Sequence, residues 1–510
     1  MRTLGQNAAK ARAVLHGRAQ QTGTALTCPR QTDPGWLAQL RPAPSRRQRR
    51  VSASPTAAFA AASLIFAGIA LAEPADQSTL KPVLNSGENV LKFDWPTIEV
   101  GTGEYEEGPT GVTVIRFARR VHGAVDVRGG GPGTVNTDYL RVSYDIPELD
   151  AVVFAGGSFY GLEATTAVNT AAKDDGLRDG YWNNIGFTVG AIIYDFGDRR
   201  LNEIYPDKRL AQAAYRAARP GVFPLGPYGA GRMAKSGGLF GCNAHSGQGA
   251  AFRQIGDLKI AAFVVVNALG VVTKRDGRVA ACYADATWPK DLYSVDLMSA
   301  YPASRKPGWK GIPTSADGKR NTTISLIVTN QKLPHAELQR LATQVHSSMA
   351  RAIQPFATEF DGDVLYAVST AELDRPVNES ETPNIDLDVI ADDVMWDAIL
   401  ASVPEQPNVP VAKAAVALKS EDVKRYAGEY VFSPLATLKI TTDGGKVFAQ
   451  TLGKRPAFAI KPESAVELTP TSRTDFVVQD RYPLTLNFAK RDQLVINAGR
   501  WQQIGTRKRN

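Results

Sequence analysis

The chain has 510 residues, 43 % of them hydrophobic, which is enough to bury a large core in more than one domain. Its formal net charge of +8 invites a nucleic-acid reading, but ten of the 59 basic residues and one of the 51 acidic residues lie within residues 1–72, leaving 49 against 50. That remainder has no basic patch with interleaved aromatics, so no nucleic-acid partner is expected.

Residues 1–72 form a leader. Arg46-Arg47-Gln48-Arg49-Arg50 supplies a positive stretch, Ala57 to Ala72 an Ala-rich apolar run, and Ala70-Leu71-Ala72 a small-residue cleavage site before Glu73. The apolar run has 16 residues, short of the roughly 20 a spanning helix needs. An export signal and a periplasmic or secreted protein are therefore expected rather than a stable membrane span, with an uncleaved anchor as the alternative. The paired arginines admit a twin-arginine route. Cys28 leaves with the leader, and Cys242 and Cys282 remain either as one disulfide or as two buried thiols. His16, His122, His245, His335 and His346 lack metal-ligand spacing and no Cys-x-x-Cys occurs, so no metal or other cofactor is expected.

From Gly111 the pattern alternates strand and helix. Gly111 to Ile115 is an apolar strand, and the glycine-rich Arg128 to Gly133, with no Gly-Lys-Ser/Thr, reads as a tight turn and not a phosphate loop. Ala151 to Ala155 is a short strand that turns at Gly156-Gly157 into a helix starting near Ser158. A serine elbow would need glycine at 160, where Tyr160 stands, so Ser158 is read as a helix N-cap. Thr188 to Asp195 is a strand with Tyr194 at its end, and Lys208 to Arg219 is a helix stopped by Pro220. Gly229-Ala230-Gly231 leads to Lys235-Ser236-Gly237-Gly238, and Ile260 to Val266 is a strand ending at Asn267. Gly270 to Arg320, rich in Lys, Arg, Gly and Pro, reads as an exposed segment.

Arg320-Asn321-Thr322-Thr323 then runs straight into the apolar strand Ile324 to Val328. Alone, Asn-Thr-Thr reads first as a turn before a strand. If the Asn321–Thr322 bond were cut, however, Thr322 would carry its hydroxyl beside its own α-amine, which titrates near pH 8. A terminal amine that is partly free at neutral pH is a known activator of a threonine nucleophile.

Pro334 to Ile353 is an amphipathic helix with Leu338, Leu341, Ala342, Val345 and Met349 on one face and His346 beside them as a partly buried structural histidine. Phe360-Asp361-Gly362-Asp363 opens another strand. Residues two apart on a strand share a face, so Asp361 and Asp363 would present both carboxylates together and push their pKa values apart. The alternatives are a surface turn or a calcium loop, although the Asp-x-Asp-x-Asp-Gly ligand series is absent. Val389 to Ser402 is a further helix. After the linker Pro404 to Pro410, residues 411–510 alternate like a small β domain, with Leu438 to Phe448 a hairpin of Asp-Gly turn chemistry.

Four stretches occur in order: Val125-Asp126-Val127-Arg128-Gly129-Gly130-Gly131-Pro132-Gly133-Thr134, Ala151 to Leu162, Asn321-Thr322-Thr323 and Asp361-Gly362-Asp363. Together, over roughly residues 95 to 405, they resemble the family of L-aminopeptidase/D-esterases, β-peptidyl aminopeptidases and nylon-oligomer hydrolases, which are self-processing N-terminal-nucleophile enzymes. The resemblance implies an α/β fold with a layered αββα core of the self-processing aminopeptidase/ornithine acetyltransferase type over residues 73–405, cut into an alpha chain to Asn321 and a beta chain from Thr322. It implies Thr322 as nucleophile, Asp361 and Asp363 as orienting carboxylates, and Asn267, Lys235 and Tyr194 as the groups around the reacting carbonyl. Ser236 intervenes where the family runs lysine straight into glycines. The implied activity is amide hydrolysis of amino-acid amides or short peptides, with a nylon-oligomer-type endo-amidase as the near alternative. Acyl transfer of the ornithine acetyltransferase type and non-catalytic binding by the C-terminal domain are the remoter ones. A homo-oligomer of processed alpha/beta pairs is implied as well.

Overall fold

The computed structural model describes residues 77–142, 147–282, 291–300, 321–374, 384–406, 416–453, 456–457, 459–478, 484–497 and 499–508. They belong to one compact unit, residues 70–510. The leader expected over residues 1–72, parts of the Gly270–Arg320 segment, and the linker beyond Gln406 lie outside the described residues.

Eight principal strands and three short ones make one mixed sheet of 11. The principal strands are β1 (Ile98–Tyr105), β2 (Thr110–Val127), β3 (Glu148–Ala155), β4 (Thr188–Ile192), β5 (Gln248–Ile255), β6 (Leu258–Asn267), β7 (Thr322–Gln331) and β8 (Val364–Leu373). Their order is β5-β6-β7-β8-β2-β3-β4, with β1 also on β2. The pairs β7/β8 and β3/β4 are parallel and the other principal pairs antiparallel. Each parallel pair needs a crossover connection, and each crossover holds a helix, Glu163–Asp174 between β3 and β4 and His335–Ser348 between β7 and β8.

The long strand β2 belongs to both halves of the sheet. Val112 to Arg116 pair with β3, the register breaks between Arg116 and Val121, and His122 to Val127 pair with β8. Across the break the two halves face each other: Ile115, Val152 and Phe154 from one meet Phe263, Ile324, Leu326, Val364 and Tyr366 from the other in one buried cluster. The Tyr366 hydroxyl on β8 donates to the Gly190 carbonyl on β4 at 2.9 Å, tying the halves together. Two stacked sheets were expected; hydrogen bonding makes them halves of one.

Period-two alternation sends the intervening residues outward. Ala151, Val153 and Ala155 pack under α1 (Glu163–Asp174) and α2 (Lys208–Arg216). Ala262, Val264, Ile327 and Leu365 pack under α3 (His335–Ser348) and α4 (Ile385–Ala401). The expected stripe Leu338, Leu341, Ala342, Val345 and Met349 is buried there. Helix α2 ends at Arg216, earlier than expected, and Asp207 caps its start by accepting from the Leu210 N–H.

Ser158 is not an N-cap. Gly157 (φ 78) and Ser158 (φ 53) are both left-handed, and a 3₁₀ turn, Ser158–Leu162, intervenes before α1. That turn presses the Gly161 backbone against Gly156, where a Cβ would lie 1.9 Å from the Gly156 oxygen. Cys242 and Cys282 form a disulfide.

The C-terminal β domain is a closed eight-stranded barrel: β9 (Gly428–Ser433), β10 (Ala436–Asp443), β11 (Lys446–Leu452), β12 (Val466–Pro470), β13 (Asp475–Val478), β14 (Leu484–Asn487), β15 (Gln493–Ile496) and β16 (Gln503–Arg507). The expected hairpin joins β10 and β11 through Gly444 (φ 52) and Gly445 (φ 90), the two positive φ values that a two-residue turn matching strand twist requires. Strand β9 closes on β16, which leaves no open edge.

Candidate active site

Strand β7 begins at Thr322 and places it opposite Asn267, the last residue of β6. One residue earlier, Asn321 bridges Asp361 in parallel. These pairings gather residues 267, 321, 322, 361 and 363 at one end of the sheet. All five are buried, Thr322 at 4 % exposure and Asn267 at 0 %. A cluster of buried polar side chains is costly unless each is hydrogen-bonded, so its bonding pattern is informative.

The peptide between Asn321 and Thr322 is held from two sides. The Asn321 carbonyl oxygen accepts from the Gly362 N–H at 2.8 Å and from the Thr322 hydroxyl at 2.5 Å. The Asn321 N–H donates to the Phe360 carbonyl at 3.1 Å. The hydroxyl thus lies against the carbonyl group of its own peptide bond, and a main-chain donor polarises that carbonyl.

Asp361 accepts from the Leu269 N–H at 3.2 Å, and from the N–H and hydroxyl of Thr358 at 3.1 and 2.7 Å. Asp363 accepts from the Thr323 N–H and from the Ala357 N–H at 3.0 Å. Burial raises the pKa of Asp361, offset in part by the Thr358 and Leu269 bonds. Burial, then the neighbouring Asp361 charge, pushes Asp363 well above the usual carboxylate range. The glycine-rich Arg128 to Gly133 turn forms the wall behind the pair. The Gly129 N–H donates to the Asp363 carbonyl at 3.2 Å and the Gly131 N–H to the Asp361 carbonyl at 2.9 Å. A Cβ on Gly129 would stand 2.1 Å from the Asp363 nitrogen, so only glycine fits.

Asn267 Nδ2 donates to the Tyr194 carbonyl at 3.2 Å, while Oδ1 accepts from the Lys235 N–H at 3.2 Å and from the Arg199 guanidinium at 2.7 Å. Tyr194 meets the cluster through its main chain, and its ring lies edge-on to Phe196 at 6.4 Å. Lys235, 9 % exposed, pairs across a two-residue ribbon with His245. Burial, then the positive charges of Lys235 and Arg199, hold His245 far below its ordinary pKa. His346, on α3, is fully buried and its Nδ1–H donates to Asp126 at 2.8 Å, away from Thr322's partners. Among the described residues no group of three or more His, Cys, Asp or Glu is placed to hold a metal. No described helix is long and apolar enough to cross a membrane.

Two groups of this cluster were not singled out from sequence, Arg199 and the Gly362 N–H. Arg199 lies 68 residues from Asn267, and its local signal is only a basic pair after Gly197-Asp198. The main-chain donor carries no side-chain signal.

The Tyr194 ring continues into a ladder of aromatics: Phe196 lies 6.2 Å from Tyr160, and Tyr160 lies 5.8 Å from Tyr205. Tyr160 and Tyr205 line a cleft of about 1370 Å³ together with Glu163, Phe432, Leu435 and Ile504.

A layered α/β core that buries a threonine, two carboxyls and an asparagine around one peptide bond, together with the relatives below, defines an amide-hydrolysing enzyme. Residues 93–421 match Peptidase family S58, and the chain belongs to that family. A 6-aminohexanoate-oligomer endohydrolase of Paenarthrobacter ureafaciens is 41 % identical over 333 residues, covering 64 % of this chain and 89 % of the relative. An uncharacterized aminopeptidase of Mycobacterium leprae is 34 % identical over 313 residues, 58 % of this chain and 82 % of the relative. A Burkholderia sp. beta-aminopeptidase of solved structure is 18 % identical, with a TM-score of 0.44 over 63 % of this chain and 89 % of that one.

Proposed function

We propose that the chain cuts itself between Asn321 and Thr322 and that the new terminal Thr322 then hydrolyses amide bonds through an acyl-threonine intermediate. The observation that carries this reading is the Thr322 hydroxyl 2.5 Å from the Asn321 oxygen, with the Gly362 N–H on the same oxygen. In the precursor, Thr322 Oγ attacks the Asn321 carbonyl carbon, and negative charge builds on the oxygen that Gly362 already contacts. The C–N bond breaks as the proton given up by Oγ passes to the Thr322 nitrogen, leaving an amine there and an ester between the Asn321 carbonyl and Thr322 Oγ. Water then hydrolyses the resulting ester, releasing a carboxylate at Asn321 and a free amine at Thr322.

In the mature enzyme the amine takes the Oγ proton as Oγ attacks a substrate carbonyl. The substrate amine leaves with that proton, and water cleaves the acyl-threonine ester. Once it holds the Oγ proton, the terminal ammonium is a cation next to Thr323, whose N–H is bound to Asp363, and so offsets the buried carboxylates. Asn267, held by Arg199 and the Lys235 N–H, orients the site opposite Thr322. This is the self-processing aminopeptidase type of layered core.

For substrate, internal amide bonds of linear oligoamides such as 6-aminohexanoate oligomers are favoured over amino-acid amides. The support is the 41 % identity to an endohydrolase, and the cleft lined by Tyr160, Tyr205, Phe432, Leu435 and Ile504 offers apolar surface for methylene segments. Export ending before Glu73 belongs to the same reading, and the Cys242–Cys282 disulfide suits an oxidising compartment. Intact-mass analysis of the purified protein tests cleavage and export together. Chains beginning at Glu73 and Thr322 are expected, and one uncut chain that hydrolyses amides would overturn the proposal.

A further inference from the structure

The family match ends at residue 421, before the barrel begins at Gly428, yet the barrel reaches the back of the site. Gln503, at the start of β16, is 1 % exposed. Its Nε2 donates to the Arg199 carbonyl at 2.9 Å and its Oε1 accepts from the Leu201 N–H. Both ends of one buried amide therefore grip the backbone on either side of Arg200. From that segment the Arg199 guanidinium reaches Asn267 at 2.7 Å and the Met233 carbonyl at 3.3 Å. Arg200 contacts Asp195 at 3.3 Å, and Asp195 accepts from the Gly157 N–H at 2.8 Å.

Two neighbours reinforce the grip. The Trp501 ring stacks on His245 with centroids 3.8 Å apart, behind the ribbon that carries Lys235. Arg500 joins the buried cluster in which Glu104 and Glu106 hold Arg232. An apolar side chain at 503 would close the barrel wall as well as glutamine does. A buried amide with both ends paired instead fixes geometry, because losing it strands an N–H and a C=O without partners.

We infer that Gln503 is a positioning residue for amide hydrolysis: through its grip on Arg199 and Leu201, the barrel sets Arg199 against Asn267 and thereby aligns the group opposite Thr322. This rests on the reading of Thr322 as nucleophile. It makes the barrel part of the catalytic apparatus although, among the described residues, none of the barrel is hydrogen-bonded to the Asn321–Thr322 peptide.

The experiment is a double-mutant cycle on the full chain: wild type, Gln503→Ala, Arg199→Ala and the double variant, with Gln503→Glu and Thr322→Ala alongside. Each is assayed for kcat and KM on a linear 6-aminohexanoate oligomer and an aminoacyl p-nitroanilide, for the fraction cut, and for melting midpoint. Gln503→Ala is expected to lower kcat roughly tenfold or more, as small misplacements do, with KM within about twofold. It is expected to add no further loss in the Arg199→Ala background, because it acts through Arg199. Gln503→Glu keeps the acceptor for Leu201 and loses the donor to Arg199, so its kcat should fall between. It carries the same two readouts if Gln503→Ala does not fold. Wild-type kcat in folded Gln503 variants, or equal fold losses in both backgrounds, would overturn the inference. Thr322→Ala keeps the two readings apart: its activity sinks the nucleophile, whereas its inactivity beside fully active Gln503 variants sinks only the barrel's part.

Discussion

The layered core buries a polar cluster beside its apolar ones, whereas the barrel interior is filled mainly by apolar side chains. The core places Thr322, Asp361, Asp363, Asn267, Lys235 and Arg199 inside, each at 9 % exposure or less. The barrel fills its interior with Tyr430, Leu438, Ile440, Val447, Phe476, Leu484, Leu494 and Ile496. Apolar burial of the barrel kind stabilises by roughly 25 cal/mol per Å² and tolerates volume-conserving change. Polar burial of the core kind needs a partner for every atom, and it marks where the chain gives up stability for chemistry. The barrel's most telling polar residue, Gln503, spends its amide on the core and not on its own interior.

That contrast can be broken or sharpened by experiment. Thr322→Ala should give one uncut chain with no measurable amidase activity, while Thr322→Ser should still mature in part because it keeps a hydroxyl. Two chains from Thr322→Ala on a denaturing gel would remove it from the centre of the site. Asp361→Asn and Asp363→Asn should lower kcat by about 10²- to 10⁴-fold with the fold intact by circular dichroism. Wild-type turnover would return the pair to a purely structural role.

In the barrel, Phe476→Ala should cost about 3–5 kcal/mol in denaturant titration, as emptying an aromatic site does. Limited proteolysis should then open the barrel before the core.

The acid pair also predicts a pH effect. Both folded pKa values lie above the ordinary 3.8, so the stability linked to them is complete below about 3.8 and is lost as pH rises through the raised values. Uncut Thr322→Ala should therefore become less stable as pH climbs from about 4, and adding Asp363→Asn should flatten that slope. Melting midpoints across pH decide it, and parallel curves would mean that the folded carboxyls titrate no higher than those of the unfolded chain. The smallest effect belongs to Thr323→Ala, which keeps the N–H that Asp363 accepts. Turnover within about threefold of wild type is expected, and a loss as large as that of Asp363→Asn would show that its hydroxyl takes part.

Much of the core was legible because its signals are local. Thr322 opens an apolar strand, Asp361 and Asp363 sit two apart, and Asn267 ends a strand, so each is placed by its own neighbours. Arg199 was not legible because its meaning depends on an amide 68 residues away. The N-cap reading of Ser158 failed because the left-handed pair at Gly157 and Ser158 and the tight approach of Gly161 to Gly156 outweighed capping preference. Strand β2, expected as five residues, runs to 18, since beyond the register break between Arg116 and Val121 its residues His122 to Val127 pair with β8. Alternation gave the barrel its strands, but closure rests on Tyr430 meeting Arg507 across nearly the whole domain, which local pattern does not encode.

The close approach of the glycine wall has a consequence for anyone wishing to redirect this enzyme. A Cβ on Gly129 or Gly130 would strike the backbone of residues 359–363, and one on Gly362 would come within 2.7 Å of the Gly131 oxygen and 2.9 Å of Thr322 Oγ. Saturation libraries at those three positions should therefore return almost only the parent residue, however strong the selection. Tyr160, two-thirds exposed, and its cleft neighbours Tyr205 and Leu435 have side chains that can be exchanged without meeting the backbone of the site. Under the proposed function, altered substrate range is best sought there and not in the wall that cannot give way.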